Sequence, residues 1–251
     1  MKTVRPQNSL LKNLSFLLIL SLTLFSTACN KESSETTPKE EVITAEETLA
    51  LAEAALVEGA EGISNEVEDA VEVAELVLEK TLNSYCGMAH DSTLSRTFNT
   101  ARLDGNYTTT WGWILNCNEQ EVPVDLNFNR KATGTYESLR LLSDDKADSE
   151  WVMSNLVTGT AYTLNGSYKR EGTQTSKVRE EKRFSSTVNF SIDNLTVGKI
   201  KRRITGGTAT LLITGQASSG ESFSFTGNVT FLSDGAATLV INGETYDIDL
   251  Y

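Results

Sequence analysis

Any chemistry in this chain has to start from a short set of side chains. His90 is the only histidine and stands beside Asp91 in CGMAHD, where an imidazole next to a carboxylate could serve as a general base. A serine nucleophile for it would be expected on a framed turn, and no G-x-S-x-G elbow frames any serine of the sequence. A structural role is therefore expected for His90. Asp144, Asp145, Asp148 and Glu150 crowd the stretch SDDKADSE, residues 143–150. Hard cations favour oxygen ligands, so calcium is one reading of it. The EF-hand spacing with its central glycine is absent, and a solvated acidic loop accounts for the same residues.

Tyr107, Thr109, Trp111 and Trp113 occupy alternate positions of NYTTTWGWIL, so on a strand they share one face. Such a face packs as core, stacks on a sugar or lines a cavity for an apolar molecule. Tyr107, Trp111 and Trp113 are thus the candidate ligand face, with core packing as the competing expectation. Lys199-Ile200-Lys201-Arg202-Arg203 is the one dense basic cluster. It suits anionic polysaccharide or lipid headgroups, or simply a solvated strand end. No recognition motif accompanies it and the chain as a whole is acidic, so nucleic acid is not an expected partner. One histidine without companions does not make a zinc site, and no Walker or Rossmann glycine loop is present. No catalytic residue, metal or cofactor is expected.

The amino-terminal segment has a different logic. Lys2, Arg5 and Lys12 precede the apolar run LSFLLILSLTLF, Leu14 to Phe25, and the small residues Ser26, Thr27 and Ala28 then lead to Cys29. A positive start, a short apolar stretch and a small-residue cleavage site describe a secretory signal peptide. The run of 12 residues falls well short of the ~20 needed to span a bilayer as a helix. With its cysteine, the segment resembles a bacterial lipoprotein signal, in which a lipobox ends in the residue that receives lipid. The resemblance implies cleavage before Cys29, a diacylglycerol on its thiol and fatty acylation, typically palmitate, at the new amino terminus. Ser26 departs from the commoner leucine at that place. Lys31-Glu32 after the cysteine is similar to the charged export signal of Bacteroidota surface lipoproteins. Cleavage by the general signal peptidase is the alternative. Three cysteines are present, and if Cys29 carries lipid, Cys86 and Cys117 remain as an even pair in an oxidising compartment. A disulfide between them would tie the helix end to the loop after the first strand.

These residues must be positioned by elements that the sequence also announces. Residues 30–82 hold 15 acidic and 3 basic side chains, whereas 83–251 hold 19 and 16, a nearly neutral domain behind an acidic leader. Residues 29–43 have the polar, aperiodic composition of a disordered tether. Thr44 followed by Glu47 is a capping-box signature. Ala60, Ile63, Val67, Ala70, Ala74 and Val77 then recur at steps of three and four. Gly59 and Gly62 predict a break, giving one or two amphipathic helices within 44–83 that pack on the domain or pair with a second copy. Beyond Tyr85 the period becomes two, as in Val122 to Phe128, Phe184 to Ile192 and Tyr246 to Leu250. Asn242-Gly243, Ser233-Asp234-Gly235, Ser218-Ser219-Gly220 and Asp104-Gly105-Asn106 read as turns.

The expected protein is mainly β. A signal peptide (1–28) and tether (29–43) precede a helical segment (44–83) and one antiparallel meander (84–251) of eight to ten strands, a sandwich or an up-and-down barrel. It is expected to sit on the bacterial outer membrane through lipid at Cys29, facing the periplasm or the outside. Its β domain is expected to be a non-catalytic binding or structural module for a glycan or a small apolar ligand. An envelope hydrolase and a self-associating stalk protein are the alternatives.

Overall fold

A computed structural model describes residues 42–79, 85–100 and 103–251. The signal peptide, Cys29 and most of the tether lie outside these residues, as does the expected end of the helical segment. Two helices lead the described chain, α1 (Ala45–Leu56) and α2 (Ile63–Glu79), with a 3-10 turn at Glu58–Ala60 between them. The capping box forms as expected: Glu47 N donates to Thr44 Oγ1 at 3.2 Å, and Thr44 N donates to Glu47 Oε2 at 2.8 Å. The expected break is real. A Cβ at Gly62 would stand 2.6 Å from the Val57 carbonyl oxygen, so only glycine allows the chain to double back there.

The strands follow as β1 (Ala89–Asn99), β2 (Leu103–Cys117), β3 (Pro123–Ser138), β4 (Leu141–Ser154) and β5 (Ala161–Ser176). Then come β6 (Arg183–Gly198), β7 (Ile204–Ala217), β8 (Ser222–Phe231), β9 (Ala236–Ile241) and β10 (Glu244–Asp249). They form one antiparallel sheet in which every strand pairs with its sequence neighbours, so the meander is as expected. The sheet is not closed: β1 and β10 are its two edges. Asn242 and Gly243, at φ 53° and 82°, make the two-residue link between β9 and β10, a geometry that asparagine and glycine accept readily.

Two expectations are corrected. Asp104-Gly105-Asn106 is no turn but the start of β2, paired with Glu137, Tyr136 and Thr135. SDDKADSE is no loop but the middle of β4, with side chains alternating strictly between buried and exposed. Its acidic residues Asp144, Asp148 and Glu150 face water, while pairing with β3 and β5 supplies the backbone hydrogen bonds.

One face of the sheet is wet and the other is covered by the helices. Contacts to the helical segment come from β1 through Arg96, from β3 through Arg130 and from β5 through Arg170. The chain just past β10 adds one more, with Glu58 N donating to Leu250 O at 3.1 Å. An element reached from the middle and from both edges of one sheet lies in a trough, around which the sheet curls. That position explains the alanines: Ala52, Ala55, Ala60 and Ala70 are fully buried, and their small side chains let the helix backbone approach the strands. Among the described residues no helix is long and apolar enough to cross a membrane.

Candidate functional site

The densest group of charges lies between the helices and the sheet. Glu61, in the left-handed region at φ 55°, and Glu66 and Asp69 of α2 present three buried carboxylates. The fully buried Arg130 of β3 faces all three, pairing with Glu61, with Asp69 at 3.1 Å and with Glu66 at 3.5 Å. Arg96 donates to Asp69 at 3.0 Å from the open edge, and Trp151 Nε1 donates to Glu66 Oε2 at 3.0 Å. Burial pushes the Glu66 carboxyl above the usual range, against the pull of Arg130 and the indole.

A second buried cation, Arg170, takes up the orphan carbonyls of the helix break. Nη1 donates to Ala54 O at 2.9 Å, and Nη2 donates to Ala60 O and Glu61 O. The guanidinium sits among the rings of Tyr107, Tyr136 and Tyr168, with Asp145 at 3.6 Å from its Nε. Asp145 is held in turn by Tyr107 Oη at 3.0 Å and Ser143 Oγ at 2.8 Å. Arg170 thus works as a C-cap supplied by the sheet to a helix that has no basic residue in its own last turn. These buried charged groups converge, which is the mark expected of an active site, but on a closed interface between packed elements and not in a cleft. Their chemistry is to hold the helices.

Sequence reasoning missed this cluster, although a signal was present. Arg130 shares strand parity with Leu126, Phe128 and Ala132, and Asp145 with Ala147 and Trp151. A charge at an apolar position of a period-two pattern marks a buried partner.

The residues singled out from the sequence go to several places. Tyr107 is fully buried with its hydroxyl on Asp145. Trp113 is 8 % exposed and stacks on His90 at 4.1 Å between ring centroids. Trp111 is partly buried, 6.2 Å from the Phe128 ring. All three lie on the face toward the helices. His90, between Tyr85 and Trp113, has no serine or carboxylate hydrogen-bonded to it among the described residues. Cys86 and Cys117 are joined by a disulfide. It ties the segment before β1 to the end of β2, one strand later than expected. The basic cluster forms the β6–β7 hairpin, and its charges are engaged locally. Lys199 Nζ donates to the carbonyls of Asn155, Leu156 and Thr158, Arg202 pairs with Glu75, and Arg203 lies over the Tyr251 ring. Among the described residues, no three of His, Cys, Asp and Glu are placed to hold a metal ion.

One cavity opens where the sheet fails to close. It has a volume of about 540 Å³ and lies between the end of β1, the β3–β4 turn, the residues after β10 and the outer side of α1 and the 3-10 turn. Ala54, Val57, Phe98, Leu103 and Leu250 give it an apolar floor, and the ring of Tyr251 forms one wall. Its size is that of a small-molecule site. Comparison with known proteins adds no relative: no protein family, no curated protein and no solved structure matches this chain.

Proposed function

We propose that this is a lipid-anchored protein of the bacterial outer membrane whose β domain is a non-catalytic binding or structural module. The observation that carries the reading is the use of the buried charges: Arg130, Arg170, Glu61, Glu66 and Asp69 are all engaged in fastening the helices to the sheet. The anchor rests on the sequence alone. Cys29 follows a short apolar run and small residues, and Lys31-Glu32 begins a polar tether. One acyl chain at about 0.8 kcal/mol per buried CH₂ holds a protein only marginally, whereas two or three hold it firmly. Pairing of Cys86 with Cys117 supports an exported chain in which the third cysteine is left for another use.

The test is the mass of the natural amino terminus. A peptide beginning at Cys29 and carrying diacylglycerol is expected, with the protein in the membrane fraction and Cys29→Ser abolishing both. An unmodified thiol on freely soluble exported protein would overturn the proposal.

A further inference from the structure

We propose that the cleft at the sheet's open seam binds an amphiphile carrying a protonated amine. The inference rests on the binding-module reading and names the site and the ligand class. Three observations combine. First, the floor of Ala54, Val57, Phe98 and Leu103 suits an apolar body, and Leu139, 73 % exposed on the β3–β4 turn, leaves further apolar surface at the mouth. Second, the rim is acidic: Glu53, Glu58 and Asp249 line the cleft, and the one cation among its described lining residues, Arg140, already faces Glu53 at 3.6 Å. Third, the backbone brings Glu58 beside the chain that follows β10: Glu58 N donates to Leu250 O at 3.1 Å, one residue on from Asp249, and neither Glu58 nor Asp249 has an ion-pair partner among the described residues.

The local field agrees. Burial first and the charge of Glu58 next push Glu68 up to about 6. Tyr251 is pushed up to about 12, mainly by burial, with Glu68 and Glu58 adding to it. Arg203, 4.6 Å from the Tyr251 ring centroid, opposes both shifts without cancelling them. A negative rim over an apolar floor attracts an ammonium head and repels a carboxylate of the same chain length.

The test uses residues 30–251, which contain the whole compact unit Glu40–Tyr251. Dodecylamine and dodecanoate are titrated calorimetrically at pH 7 below their micellar concentrations. Saturable binding of one dodecylamine per chain is expected, about tenfold tighter than dodecanoate, given two uncompensated carboxylates at a partly desolvated rim. The double variant Glu58→Gln, Asp249→Asn is expected to erase that preference. Gly59→Leu fills the site: a Cβ at Gly59 meets Leu103 and Thr100 no closer than 3.8 Å, so the branch can extend into the cleft without backbone clash. It is expected to abolish dodecylamine binding at an unchanged melting temperature. Dodecanoate binding as tightly as dodecylamine, with Gly59→Leu removing both, would overturn the amine preference while leaving a binding module. No saturable heat from either probe, or full dodecylamine affinity in folded Gly59→Leu protein, would remove the cleft as the site.

Discussion

Arg130 is the largest of the fully buried side chains in the described domain, and its surroundings explain how a guanidinium comes to be there. Three carboxylates of the helical segment face it, so the guanidinium is not out of water without counter-charge, and Arg96 on Asp69 adds a second cation to an acidic cluster. Arg130→Met would strand Glu61, Glu66 and Asp69, and breaking one side of a buried ion network costs roughly 3–5 kcal/mol. Urea unfolding followed by circular dichroism measures this, and adding Glu61→Gln and Asp69→Asn is expected to restore part of the loss. A cost below about 1 kcal/mol for the single variant would mean that the network contributes little. Glu68 carries a pH dependence. Its carboxyl is raised from 4.5 to about 6. Between those values the folded chain keeps a proton that the unfolded chain releases, so this group's contribution to stability falls as pH rises through the window. Glu68→Gln removes that slope and, after allowance for its partial exposure, raises stability at pH 7 by about 1 kcal/mol. Melting temperatures between pH 4 and pH 7 check the sign, and a variant curve parallel to the parent's would refute it.

At the scale of elements, the helix start, the break at Gly62 and most strands were legible because each depends on neighbours in sequence. Thr44 and Glu47 cap one another across three residues. Phe184 to Ile192 alternate because one face of β6 is buried. The loop expected in place of β4 has an equally local cause. Asp144, Lys146, Asp148 and Glu150 look like a loop until the small residues Ser143, Ala147 and Ser149 between them are seen to point inward. Only β3 and β5, lying on both sides, make that stretch a central strand. The Cys86–Cys117 disulfide, spanning 31 residues, fastens β1 and β2 at their shared end. Edge strand β1 has a sheet neighbour on one side alone, so Cys86→Ser with Cys117→Ser is expected to cost roughly 3–4 kcal/mol by the loop-closure argument. Calorimetry of the double variant tests this, with an unchanged melting temperature counting against it.

For the whole molecule, the helical segment is the core that the open sheet closes upon. Removing residues 42–79 would expose the inner faces of ten strands, strip Arg130 of its three carboxylates and strip Arg170 of its carbonyl partners. Residues 85–251 alone are expected to aggregate or to lose the cooperative unfolding of the longer chain, as light scattering and thermal melts would show. A soluble, cooperatively melting fragment would mean that the sheet is stable without its filling. The sequence by itself determined what lies within a few residues' reach: the capping box, the change of period from helix to strand, and the Asn242-Gly243 link. Tertiary structure alone decided that the meander stays open, that two helices fill its trough, and that Arg130 and Arg170 point at carboxylates and carbonyls far away in the chain. The physical reason is that hydrogen-bond and burial patterns repeat over a few residues. Closure of a sheet depends on accumulated twist and on volumes summed over every strand, which no short stretch of sequence contains.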